Sequence, residues 1–279
     1  MAIPKEVYKT FKKGSKTYFF SSLFFPKAAK EDVFMLYSFV RVADSFVDEI
    51  PQQKKEFLEF KQKFYQAYDG VLADNLIIDG FVKLMKKHDF ELEWVTLFLN
   101  AMEMDLTKSE YHTIQETEEY MLGSAGVIGY MMCAVLGIPK SAFPQAKALG
   151  FAMQYANFIR DIDEDQELNR TYLPKTKLGT YNLVSLNKTK TTTNKEQLMK
   201  FITAQSEHFD KYQTEAEKGY KSIPKRYLIP IKTAADIYKW TVAVIKKDPM
   251  IVYRKKVKPS LARLLFYLTK NLLTVQLLK

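Results

Sequence analysis

"LGFAMQYANFIRDIDEDQELNRTYLP", residues 149–174, runs an apolar helical pattern into a dense acidic segment. Gln154, Asn157, Asp161 and Asp165 follow spacings of 3, 4 and 4, which stacks them on one stripe of a helix, with Gly150 a turn earlier. Phe151, Ala152, Tyr155, Ile159 and Ile162 fill the other faces. Five of the seven residues 161–167 are acidic in a chain whose net charge is +10, so the acids are concentrated here against the overall balance. Carboxylates at i and i+4 repel on an exposed helix, and burial enlarges the penalty unless a cation stands between them.

The same design occurs earlier. In "RVADSFVDEI", residues 41–50, Asp44 and Asp48 continue a stripe begun by Tyr37 and Arg41, with spacings of 4, 3 and 4. Val33, Phe34, Met35, Leu36, Phe39, Val40 and Val47 supply apolar surface around it. A solvated face with an Arg41–Asp44 or Arg41–Asp48 ion pair would explain this stretch alone. Two helices built alike point instead to hard divalent cations. Mg²⁺ takes oxygen ligands, keeps waters, and is commonly shared between one or two carboxylates and substrate phosphate oxygens. The paired Asp residues would hold Mg²⁺, or Mn²⁺ in its place, and a diphosphate would complete the shells. Arg41, Arg160 and Arg170 would take the remaining phosphate oxygens bidentately.

The rest of the chain sets the frame. With 279 residues, 47% hydrophobic and 14% aromatic, it has ample core-forming residues, and its ten glycines and ten prolines are few. Helical periodicity dominates and strand alternation is nearly absent. The spacing predicts helices over 27–50, 54–68, 76–88, 91–107, 114–136, 140–168, 195–220, 224–247 and 259–277, one all-α domain spanning 1–279. The Thr-rich segment 187–197 reads as a surface loop. Cys133 is the single cysteine, which excludes an internal disulfide framework and a Cys-cluster zinc site and fits a cytoplasmic setting. The N-terminus lacks a signal-peptide pattern, and no uncharged apolar stretch reaches about 18 residues, so no membrane span is expected. No nucleic-acid module is present.

Other short segments have simpler readings. "KKGSKT" (12–17) lacks the upstream glycine and preceding strand of a phosphate-binding loop. "GSAGVIG" (123–129) lies inside a helical pattern and reads as close helix packing, with passage of a long apolar substrate along bare backbone as the functional alternative. Six of the residues from Lys246 to Lys258 are basic and one is acidic; joined to the amphipathic stretch that follows, they suggest peripheral contact with an anionic membrane.

Taken together these residues resemble the squalene/phytoene synthase family, whose members couple prenyl diphosphates head to head on the all-α isoprenoid synthase fold, a helical bundle around a central cavity. "DSFVD" (44–48) resembles the first Asp-rich motif, and "NFIRDIDED" (157–165) with "NRTYLP" (169–174) the second. "AMEMDLTKSEYHTIQETEEYMLGSAGVIG" (101–129) is similar to the middle segment of carotenoid-type members, "GSKTY" (14–18) to the N-terminal substrate segment, and "AADIY" (234–238) to a late helix that contributes a tyrosine. The resemblance covers about residues 5–260. It implies that Asp44, Asp48, Asn157, Asp161 and Asp165 hold Mg²⁺, the four aspartates and Tyr172 forming the catalytic set. Ser15, Lys16, Thr17, Tyr37, Arg41, Tyr120, Gln154, Arg160 and Tyr238 would contact the prenyl diphosphates, with Arg170 and Tyr172 closing over the site. Gly14 stands where some members carry histidine, Leu122 where a second tyrosine is frequent, and Asp163 where the motif usually has glycine.

The reaction so implied joins two prenyl diphosphates through a cyclopropyl diphosphate and ends in proton loss, without NADPH. The resemblance favours two geranylgeranyl diphosphates and phytoene. A dehydrosqualene or squalene synthase acting on farnesyl diphosphate is the neighbouring alternative, and a non-catalytic relative acting as a binding or assembly factor is the alternative of another class.

Overall fold

The computed structural model describes residues 3–14, 16–191 and 194–277, and no strand occurs among them. The helices are α1 (Lys5–Gly14), α2 (Lys16–Ser22), α3 (Lys27–Asp48), α4 (Lys54–Tyr68), α5 (Leu76–Lys87), α6 (Leu92–Met104), α7 (Ile114–Met121), α8 (Val127–Leu136), α9 (Phe143–Arg160), α10 (Ile162–Glu167), α11 (Lys175–Thr180), α12 (Lys188–Thr191), α13 (Lys195–Glu217), α14 (Lys225–Lys247) and α15 (Leu261–Leu277). They enclose one extended core that runs from Val7 to Val257.

Helix α3 is set by its aromatic face. Phe39 is fully buried and stacks on Phe81 of α5 with ring centroids 3.8 Å apart and planes 8° from parallel, while Phe60 and Phe64 of α4 tilt against it. Such pairs contribute about 1 kcal/mol each beyond area burial and fix the rotation of the helix about its axis. That rotation carries Arg41, Asp44 and Asp48 to the opposite side, where they line a cavity.

Helix α9 occupies the middle of the bundle, packed against α8, α13 and α14. Its approach to the 122–129 segment is close. A Cβ on Gly129 would lie 2.5 Å from the Ala146 carbonyl oxygen, and one on Gly150 would lie 2.5 Å from that of Ala125. The close packing expected of "GSAGVIG" is therefore present. Between α7 and α8 the chain widens into a π turn, Leu122–Gly126, a distortion that breaks the regular α ladder where it borders the cavity. The run Ile114–Leu136 is long and apolar enough to cross a membrane by length and composition, yet it is mostly buried against α6 and α9 as a core helix.

Most of the expected helices form within two or three residues of their predicted bounds. Three expectations are corrected. The helix predicted over 140–168 starts as the short 3₁₀ turn Lys140–Ala142 and breaks at Asp161, whose φ of −101° and ψ of 17° separate α9 from α10. Helices α1, α2 and α11 were not among those predicted. The 187–197 segment is more than a loop: it contains α12, and Thr191 is buried with its hydroxyl donating to the carbonyls of Asn187 and Lys188.

Candidate active site

The cavity beside α3 and α9 has a volume of about 760 Å³, within the range of small-molecule sites. Seven carboxylates (Asp44, Asp48, Asp105, Asp161, Glu164, Asp165, Glu167) and four cations (Arg41, Arg160, Arg170, Lys256) line it, an acidic excess inside a chain of net charge +10. Its remaining wall is mostly apolar, with Leu36, Val40, Phe98, Ile128, Met132 and Ile231 among the lining residues, interrupted by side chains such as Ser21, Ser124 and Gln145.

Local structure concentrates the negative charge. Asp44 and Asp48 occupy the last turns of α3, a helix C-terminus where unpaired carbonyls are already negative, while Asp161 both follows the last residue of α9 and caps α10, whose first turn carries Asp163, Glu164 and Asp165. Desolvation, followed by the neighbouring Asp48 charge, raises Asp44 to about 7 against the pull of Arg41. Burial, then the charges of Asp161 and Asp48, raises Asp165 well above the usual carboxylate range. Asp165 thus senses acids from both motifs, and both groups line the one cavity.

Arginines hold this charge in place. Arg41 pairs with Asp44. Arg160 grips Asp161 from Nε at 2.7 Å and Nη2 at 2.5 Å. Arg170, buried, donates Nη1 to Asp48 at 2.8 Å and to the Tyr172 hydroxyl at 3.2 Å, while its Nη2 donates to the backbone carbonyls of Val47 and Asp105. Arg170 is thus a brace between the first acidic motif and the segment after the second. Lys256 lies 3.1 Å from Asp161 and also pairs with Glu164, so part of the basic run expected to meet lipid serves the site instead.

Among the described residues, no three Asp, Glu, His or Cys side chains converge on a single preformed metal position. The donor set nevertheless suits Mg²⁺. Asn157 directs its Nδ2 to Gln154, and its buried Oδ1 has no hydrogen-bond partner. An orphaned amide oxygen beside carboxylates that repel one another fits the oxygen ligation that Mg²⁺ takes.

Gln154 and Asn157 line the cavity from α9. Tyr37 stacks on Phe11 at 3.9 Å. Gly14 permits this placement, because a Cβ there would lie 2.6 Å from the Tyr37 hydroxyl and 3.0 Å from Arg41 carbons. Tyr238 of α14 faces Tyr18 with ring centroids 5.9 Å apart. Tyr120 and Tyr172 sit deeper, and both donate their hydroxyls to Asp105 at 2.7 Å. Ser15 and the side chains of Lys16 and Thr17 lie outside the described residues.

Asp105, Glu164, Lys256 and Tyr18 line the same cavity, though none of them is among the individual site residues expected from the sequence. Asp105 is buried, and burial raises it to about 6 even with Arg170 and the two tyrosine hydroxyls favouring its charged form. Its signal was an acid between Met104 and Leu106 at the end of an apolar helix, which is weak without knowledge of what packs there.

A family model described as squalene/phytoene synthase matches residues 11–263. A 15-cis-phytoene synthase of Synechocystis sp. is 28% identical, over 95% of this chain and 82% of its own. Another from Pantoea ananas is 28% identical, over 81% and 77%. Among solved structures, a dehydrosqualene synthase in complex with ligand superposes with a TM-score of 0.85 at 22% identity, covering 98% of this chain and 96% of its own. A squalene synthase from Alicyclobacillus acidocaldarius gives 0.75 at 18% identity, covering 88% and 93%.

Proposed function

Because the chain belongs to the squalene/phytoene synthase family, we propose that this prenyltransferase condenses two prenyl diphosphates head to head, with geranylgeranyl diphosphate as substrate and phytoene as product. The observation that carries the reading is one cavity with an acid-rich end, built from two Asp-bearing helix ends, and a mostly apolar remainder. The first end suits metal-bridged diphosphate and the second suits isoprenoid tails. The curated relatives named above as 15-cis-phytoene synthases support the choice of product.

Asp44, Asp48, Asn157, Asp161 and Asp165 would hold Mg²⁺, or Mn²⁺. When bound, the metal supplies Lewis-acid activation of the leaving diphosphate. Arg41 and Arg160 are already positioned on carboxylates of the site and would exchange part of that pairing for phosphate oxygens as substrate enters. Tyr37 and Tyr238 border the same region, and Gln154 supports Asn157. The apolar wall keeps water from the allylic cation. The aromatic faces of Tyr120, Phe158 and Tyr172, with centroids 4.4 to 6.1 Å apart, offer that cation π-density. The sequence ends in proton loss and uses no NADPH.

The long-chain product favours peripheral attachment to an anionic membrane. Helix α15 buries Leu264, Leu268 and Val275, yet exposes Leu261, Leu265, Phe266 and Leu273 on its outer side. From Pro249 to the last residue the sequence contains no Asp or Glu, and Lys255, Lys258, Arg263 and Lys270 are exposed beside this apolar surface.

The reading is tested by incubating purified protein with Mg²⁺ and either farnesyl or geranylgeranyl diphosphate, then analysing the lipid extract. Phytoene from the C20 substrate is expected. Dehydrosqualene from the C15 substrate alone would transfer the assignment to that alternative, and absence of any coupled product would reject it.

A further inference from the structure

Asp105 is a buried carboxylate that none of the metal or diphosphate assignments uses, and its surroundings have a direction. Its Oδ1 accepts the Tyr172 hydroxyl and its Oδ2 the Tyr120 hydroxyl, both at 2.7 Å. All three residues line the cavity. The two tyrosines differ. Tyr172 also receives Arg170 Nη1 at 3.2 Å, so a cation already occupies part of its acceptor capacity. Among the described residues, the one hydrogen-bond partner recorded for the Tyr120 hydroxyl is Asp105, so its donor is used and its oxygen remains open to accept.

We propose that Asp105 is the terminal proton acceptor of the coupling reaction, reached through the Tyr120 hydroxyl. The inference rests on the head-to-head reaction proposed above. In the last step a C–H bond next to the rearranged allylic cation breaks, and its electron pair becomes the new C=C bond. The proton passes to Tyr120 Oη while the tyrosine's own proton moves to Asp105 Oδ2. Cation and carboxylate become neutral hydrocarbon and carboxylic acid, Tyr120 remains neutral, and no redox partner is needed. The acid returns its proton through the tyrosine once the product has left.

The surroundings agree with this role. Burial raises Asp105 to about 6, basic enough to accept the proton and still mostly ionised at neutral pH. Burial also raises Tyr120 well above an ordinary phenol, which disfavours free tyrosinate and favours transfer in concert with the carboxylate. Arg170, anchored to Asp48, contacts the Asp105 backbone carbonyl and the Tyr172 hydroxyl, and so fixes the cluster relative to the first acidic motif.

The test compares wild type with Asp105→Asn and Tyr120→Phe in Mg²⁺ and whichever prenyl diphosphate the wild type couples. Diphosphate release and lipid products are quantified together, and folding is checked by thermal melting. In both variants the yield of triene hydrocarbon per diphosphate released should fall on the order of 10²-fold, the scale of a lost general base. Cyclopropyl diphosphate and water-captured alcohols should replace it. If hydrocarbon and diphosphate release fall in parallel, or the product mixture is unchanged, the relay is wrong. Should Asp105→Asn not fold, Tyr120→Phe decides alone, since it leaves the carboxylate bonded to Tyr172. A wild type that forms no coupled product would instead defeat the underlying reaction.

Discussion

Replacing Asp105 by Asn should change how stability depends on pH. Burial raises this carboxyl from an unfolded value near 4 to about 6 in the folded chain. For an acid shifted upward, the neutral form favours the fold. That contribution is fully present below the unfolded pKa and is lost as pH rises through the folded one. A difference of two units corresponds to about 3 kcal/mol, of which about half is lost between pH 5 and pH 8. Asparagine has no such transition and can still accept one of the two tyrosine hydroxyls. Urea unfolding of both proteins at pH 5 and pH 8, in EDTA, isolates the term, because Asp44 and Asp165 contribute to wild type and variant alike. The wild type should lose about 1 to 2 kcal/mol more than the variant over this interval. Identical pH dependence in the two proteins would show that Asp105 ionises as an ordinary carboxyl and that its enclosure has been misjudged.

Other outcomes follow from single contacts. Asp44→Ala or Asp161→Ala should lower turnover by at least about 10²-fold, the scale of a lost electrostatic stabiliser, with the melting temperature lowered in Asp161→Ala, which strands the Arg160 guanidinium; near-normal turnover would remove these residues from metal binding. Gly129→Ala places a Cβ 2.5 Å from the Ala146 carbonyl oxygen, so denaturant unfolding should show a loss of about 1 to 3 kcal/mol as α8 and α9 are forced apart. Phe266→Ser with Leu273→Ser should weaken co-sedimentation with phosphatidylglycerol vesicles, and wild-type binding should fall with added salt. Equal binding by the double variant would remove α15 from the contact.

The sequence carried the bundle because its signal is local: apolar periodicity over ten or more residues marks α3, α9, α13 and α14, and later packing only adjusts their ends. It carried the Asp44–Asp48 stripe for the same reason, since spacing of 4 on a helix is geometry rather than environment, and it placed the second acidic group in the site although the helix drawn through it divides at Asp161. Three features escaped because they are products of long-range contact. The break at Asp161 has no proline or glycine to announce it, and it occurs where Arg160 and Lys256 both pair with the Asp161 carboxylate. Arg170 reads as a phosphate ligand that closes over the site, yet the fold buries it between Asp48, Tyr172 and two backbone carbonyls. Asp105 gains meaning only when Tyr120, fifteen residues later, and Tyr172, sixty-seven residues later, close on it.

Coupling of two prenyl diphosphates in this cavity, with the final cation quenched by proton loss, leaves a product that carries its own optical signature. The most direct measurement is the ultraviolet spectrum of the hydrocarbon formed from purified protein, Mg²⁺ and geranylgeranyl diphosphate, taken with and without NADPH. The absorption of a central conjugated triene is expected, equal in the two samples. Accumulation of the cyclopropyl diphosphate without NADPH, or a reduced hydrocarbon lacking the triene when it is added, would contradict it.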